Sequence, residues 1–234
     1  MRKINVKGTI ISNDVQWIYD LFDIEATSPN RVLDELEQAN GEDVEVIINS
    51  GGGDVFAGSE IYTELKSYQG NITTKVVGIA ASAASVIAMA GKKVQISPTA
   101  QIMIHNVSSR GSGDYRDFQH EADVLKNYNK SIASAYMIKT GMKEEELLAL
   151  MDEETWFNAQ QAKENKFVDE ILFEESTQVV ANIGNSPILP QQVIDTIRNM
   201  KDQFNPIASE KESESDILMQ QAKLNLLKLK GDVE

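Results

Sequence analysis

A chain of 234 residues with a formal net charge of −14 and no cysteine has room for one sizeable core plus an appendage. The absence of cysteine excludes a disulfide framework, a thiol nucleophile and cysteine-ligated metal, and the acidic excess argues against nucleic acid as a partner while favouring solubility. The N-terminus lacks the apolar stretch of a signal peptide, and the apolar run bracketed by Lys75 and Lys92 is too short to span a bilayer comfortably, so a cytoplasmic protein without membrane association is expected.

In chain order, residues 4–11 read as a strand. Ser28-Pro29 is an N-cap followed by a proline at the first helical position, opening a helix over residues 30–40. Strands are expected at 44–49, 73–78, 94–97 and 101–106, with helices at 55–67 and 82–90 and a long amphipathic helix at 114–140. This alternation implies an α/β fold. The polar, glycine-rich stretch V-S-S-R-G-S-G-D at 107–114 reads as a mobile loop beside His105, and His120 falls on the long helix in a solvated or interface position. Beyond residue 175 the character changes. Prolines punctuate the segment, residues 210–216 form a charged Ser/Glu run, and 217–229 carry apolar residues at helical spacing. The expected organisation is therefore a domain at 1–175 and a partly disordered extension at 176–234 with a terminal helix.

Three pieces of the first domain carry chemistry. Ser82 lies in G-I-A-A-S-A-A-S at 78–85, where a β-like run gives way to small, helix-compatible residues. The first N–H groups of a helix have no intrahelical partner, so the N–H of Ala83 is free to meet a developing oxyanion. A second donor can come from Gly51-Gly52-Gly53, in I-I-N-S-G-G-G-D-V at 47–55, because glycine allows close approach and positive φ. His105, in I-M-I-H at 102–105, supplies a base. Alone, each has a structural explanation: a small residue at a helix contact, a turn, a satisfied core histidine. G-G-G-D-V-F has Phe56 where a dinucleotide fingerprint needs glycine, so no dinucleotide site is expected.

Four stretches taken together, I-N-S-G-G-G-D-V-F-A-G (48–58), G-I-A-A-S-A (78–83), M-I-H-N (103–106) and E-T-W-F-N-A-Q-Q-A (154–162) followed by F-V-D (167–169), resemble the Clp protease proteolytic subunit family. The resemblance spans roughly residues 4–175. It implies a Clp/crotonase-type spiral of βαβ units with a long handle helix. It further implies a serine endopeptidase working through an acyl-enzyme, with Ser82 as nucleophile, His105 as base, the Gly53 and Ala83 N–H groups as oxyanion hole, and Gly51 and Gly52 beside the substrate. No cofactor or metal is implied, the substrates are proteins, and the expected assembly is a homo-oligomer of stacked rings. Two departures stand out. Gly51 replaces the family's proline, and the family's catalytic aspartate falls in register with Glu154, with Asp152 two residues upstream as the alternative acid. If this stretch is extended, Asp152 and Glu154 share a face.

The chain begins only three residues before its first strand, so the segment that helps dock an ATPase in the family is expected to be missing. With W-I-Y-D (17–20), T-S-P (27–29) and M-D-E-E-T-W-F (151–157), the variant looks most like phage and prophage Clp-like head maturation proteases, which would act on capsid or scaffold proteins without an ATPase. The alternatives are a housekeeping Clp subunit, an inactive scaffold-like paralogue, a signal-peptide-peptidase-like Ser/Lys enzyme using Lys75 or Lys92, and a crotonase-like enzyme that binds CoA.

Overall fold

Val and Ile alternate with polar residues along 4–10 and 72–76 and dominate V-E-V-I-I at 44–48, the pattern of strands whose inward-facing side chains pack on the core. In the computed structural model, which describes residues 1–174, they form the middle of an eight-stranded sheet. The chain runs through β1 (Arg2–Ile10), a 3₁₀ turn (Asn13–Val15), α1 (Gln16–Leu21), β2 (Ala26–Thr27), α2 (Pro29–Ala39), β3 (Val44–Gly53), α3 (Val55–Ser67), β4 (Ile72–Ala81) and α4 (Ala83–Ala88). It continues with β5 (Lys93–Ile96), β6 (Gln101–Ile104), α5 (Tyr115–Thr140), α6 (Glu144–Asp152), β7 (Thr155–Asn158), α7 (Ala159–Glu164) and β8 (Glu170–Ile171). The mixed α/β architecture expected from the alternation is present, and the long helix expected at 114–140 is α5. The extension expected at 176–234 lies outside the described residues.

The main sheet has the order β2-β1-β3-β4-β5-β8 with every pairing parallel. It forks at β4. Residues 73–76 of that strand pair with β5, whereas Ile79–Ala81 pair with β6, which in turn pairs antiparallel with β7. The fork follows a break in register. Between Ile48 and Ser50 of β3 the partners on β4 step from Val76 to Ala80, and Asn49 fills the gap by accepting the Ile79 N–H on its Oδ1 at 3.2 Å.

Several boundaries differ from the sequence reading. β3 continues past residue 49 to Gly53 by pairing with Thr9 and Ile10 of β1, and β4 past residue 78 to Ala81 by pairing with β6. Residue 82 is not helical, and α4 starts at Ala83. β6 stops at Ile104, so His105 stands just beyond the strand. Asp152 ends α6 and Glu154 has φ +48°, so this stretch is not extended and the shared strand face expected for the two acids does not exist.

All six residues of α4 are buried, which is possible because Ala83, Ala84, Ser85 and Ala88 are small enough to fit against neighbouring backbone. Asp54 starts α3 by accepting the Ala57 N–H at 2.8 Å, and an Asp114/Asp117 capping box starts α5. The first turns of α5, with Tyr115, Phe118 and His120, are exposed, while Ile132, Ala133 and Tyr136 are buried against the core. Among the described residues, no helix is long and apolar enough to cross a membrane.

Candidate active site

Ser82 sits on the single residue between β4 and α4, at φ +54° and ψ −126°. A non-glycine residue rarely adopts this conformation, which costs about 1 to 3 kcal/mol and persists only where the surroundings over-determine it. Here they do. The Ser82 N–H donates to the Met103 carbonyl of β6 at 3.0 Å, and the Ser82 carbonyl accepts the Ser85 N–H of α4 at 3.0 Å. Strand and helix thus hold the turn from opposite ends and present the side chain at its tip.

His105 follows the C-terminal end of β6, the strand paired with Ile79–Ala81, so the fork of the sheet carries it to Ser82. Its Nε2 lies 2.7 Å from Ser82 Oγ. With the ring proton on Nδ1, the hydroxyl donates to Nε2, the arrangement needed for proton removal. The backbone after His105 is tied to the long helix, because the Val107 N–H donates to Asn129 Oδ1 of α5 at 2.8 Å.

The glycine loop lies against this pair. Gly52 has φ +95°, and a Cβ there would stand 2.7 Å from Ser82 Cβ. Gly53 has φ +151°, and a Cβ there would stand 2.1 Å from the Ile10 carbonyl oxygen. The Gly52 N–H donates to Ser50 Oγ at 3.1 Å, and the Asp54 N–H donates to the Ile10 carbonyl at 2.9 Å. Gly53 is paired with Ile10 of β1. Gly51 has open space around it, so the residue that replaces the family's proline is under no steric demand. Gly53, Ser82, Ala83 and His105 border one cavity of about 260 Å³, whose apolar wall is made by Val55, Phe56, Val86, Ile132 and Tyr136.

The acids are placed differently from one another. The β6–β7 pairing ends at Ile104↔Thr155, and His105 and Glu154 are the residues that adjoin this last pair. The Glu154 carboxylate accepts the Trp156 Nε1–H at 3.3 Å, whereas Asp152 Oδ1 accepts Asn106 Nδ2–H at 2.7 Å. Among the described residues, neither acid is hydrogen-bonded to the His105 ring. Lys75 is ion-paired with Glu45, and Lys92 donates to Asn71 Oδ1 at 2.9 Å, which leaves His105 as the basic side chain bonded to Ser82. Tyr136 and Ser85, whose hydroxyls lie 2.7 Å apart under the Ser82 turn, were not singled out as site residues from the sequence. The only sequence signal was a polar pair falling on otherwise apolar faces of two helices.

The Clp protease family model matches residues 22–175. The chain therefore belongs to the Clp protease family. Among curated proteins, an ATP-dependent Clp protease proteolytic subunit of Bacteroides fragilis is 32% identical over 137 residues, covering 58% of this chain and 66% of that protein, just under two thirds of its length. Subunit 1 of Streptomyces avermitilis is 33% identical over 156 residues, covering 64% of this chain and 71% of the other. Subunit 1 of Chlamydia abortus is 35% identical over 145 residues, covering 59% and 74%.

The left-handed backbone at residue 82 has a measurable consequence. Ser82→Gly and Ser82→Ala both remove the hydroxyl, but only glycine relieves the positive φ. In denaturant titrations Ser82→Gly is expected to be more stable than Ser82→Ala by about 1 kcal/mol, and equal stabilities would show that the turn is unstrained.

Proposed function

We propose that this chain is a serine endopeptidase subunit in which Ser82 is the nucleophile and His105 the general base. The observation that carries the reading is the 2.7 Å contact between Ser82 Oγ and His105 Nε2 at a strained strand-to-helix turn. As the hydroxyl attacks a peptide carbonyl, its proton passes to Nε2. The tetrahedral oxyanion sits between the N–H groups of Gly53 and Ala83, and the protonated imidazole then releases the amine as the acyl-enzyme forms. Each preorganised donor of this kind contributes about 2.7 to 4 kcal/mol to lowering the barrier. A water molecule, activated by the same base, hydrolyses the ester.

The cavity wall of Val55, Phe56, Val86 and Ile132 suits an apolar substrate side chain next to the scissile bond. Substrate lies extended beside Gly51 and Gly52 and adds backbone hydrogen bonds to the glycine loop. The subunits assemble as homo-oligomeric stacked rings, with the exposed first turns of α5 as the contact that fits this role. The finer reading is maturation of capsid or scaffold proteins without an ATPase, supported by the variant motifs around Trp17, Gly51 and Met151. A housekeeping role is the second reading, favoured by the names of the relatives, which are ATP-dependent Clp subunits. For the third member of the triad we favour Glu154, which adjoins the last β6–β7 pair next to His105, over Asp152, whose carboxylate is held by Asn106. In this reading Glu154, an exposed side chain, exchanges its Trp156 contact for the His105 Nδ1–H.

Two experiments test these assignments. Purified protein is expected to react with a fluorophosphonate and to degrade casein without nucleotide, with both activities lost in Ser82→Ala. Labelling that survives this change overturns the nucleophile, and strict dependence on an added unfoldase and ATP assigns the chain to the housekeeping class. Separately, kcat on casein is expected to fall by about 10⁴ in Glu154→Gln, the loss known for removal of a tautomer-fixing acid, and only mildly in Asp152→Asn. The reverse pattern transfers the role to Asp152.

A further inference from the structure

Ser85 lies one helical turn beyond Ser82 and is fully buried, and its Oγ is 2.6 Å from the Ser82 carbonyl oxygen and 2.7 Å from Tyr136 Oη. A carbonyl oxygen can only accept, so the Ser85 proton must point to it, and Tyr136 must then donate its own proton to Ser85 Oγ. The three groups form one directed chain running from α5 through α4 to the backbone of Ser82. Burial pushes the Tyr136 phenol far above the ordinary tyrosine range, so it remains a donor at any working pH.

The carbonyl at the end of this chain belongs to the peptide plane that also carries the Ala83 N–H. In a trans peptide C=O and N–H point in opposite directions, so whatever holds the Ser82 carbonyl toward the interior aims the Ala83 N–H toward the cavity. We propose that Ser85 and Tyr136 are positioning residues for the oxyanion hole, fixing the direction of the Ala83 N–H through the Ser82 carbonyl and coupling it to helix α5. This rests on the reading of Ser82 as nucleophile and of Ala83 as an oxyanion donor. Helix α4 supplies its own backbone bonds to the same carbonyl, from the Ser85 N–H at 3.0 Å and the Val86 N–H at 3.4 Å. The hydroxyl chain adds the shortest of the three contacts and the only one that reaches another element. Tyr136 is itself braced by an edge-on contact with Phe167, ring centres 5.8 Å apart, so the donor end of the chain is fixed by packing.

The test is the kinetics of fluorophosphonate labelling, resolved into the rate at saturation and the half-saturating concentration, on the full chain and on Ser85→Ala, Tyr136→Phe, the double variant and Ser85→Thr. Positioning of an oxyanion donor acts on the chemical step. The saturating rate is expected to fall tenfold or more in each hydroxyl-deleting variant, with half-saturation within twofold of the parent. The double variant should be no slower than the slower single variant, because both interrupt one chain, and Ser85→Thr should recover most of the rate. Tyr136→Phe keeps the ring packing, and the final labelled fraction separates slow chemistry from loss of folded protein. Saturating rates within twofold of the parent in both single variants, with Ser82→Ala unlabelled, would overturn the positioning role and leave the nucleophile intact. Labelling that survives Ser82→Ala would instead remove the reading on which this proposal stands.

Discussion

One residue held in a left-handed conformation organises the site. Ser82 extends the β4–β6 pairing by donating its N–H to the Met103 carbonyl, but its φ of +54° ends the strand and keeps the residue out of α4. It is pinned between the two, and the strain is borne by the burial of α4 and the pairing of β4 with β6. Everything else at the site is placed relative to that turn. The same β6 that accepts the Ser82 N–H ends at Ile104 and delivers His105 to the serine hydroxyl.

The turn depends on features spread over the whole domain. The register break opposite Asn49 lets β4 leave β5 and meet β6, and without that fork Ser82 and His105 would sit on strands with no common end. Close approach of the glycine loop to Ser82 requires Gly52 and Gly53 to have no side chain. The long helix α5 braces the site twice, through Asn129 on the Val107 N–H and through Tyr136 on Ser85. The long helix is thus joined by hydrogen bonds, through Tyr136 and Ser85, to the Ser82 carbonyl.

Much of this was legible in the sequence. Strands packed on the core leave Val and Ile at regularly spaced positions, and the shift from such a stretch to alanines at Gly78–Ser85 marked the strand-to-helix turn. Ser82, His105 and Gly53 border one cavity. The acid was less legible for a physical reason. Choosing between Asp152 and Glu154 by strand period required an extended segment, whereas α6 runs to Asp152 and the chain reverses at Glu154 with positive φ. The short elements α1, β2, α6, β7, α7 and β8 were not read, because two- to nine-residue segments carry too little periodicity and are fixed by their tertiary partners. Ser85 and Tyr136 escaped for a related reason. Their partnership spans 51 positions of sequence and is visible only once two helices are packed.

The most direct measurement is a crystal structure of the protein after reaction with a peptide chloromethyl ketone, a reagent that bonds to a serine hydroxyl and alkylates the neighbouring histidine. The expected result is covalent attachment to Ser82 Oγ and His105 Nε2, with the former carbonyl oxygen about 3 Å from the N–H groups of Gly53 and Ala83 and the peptide side chain in the cavity between Val55 and Ile132. Attachment elsewhere, or an adduct whose oxygen faces away from both N–H groups, would contradict it.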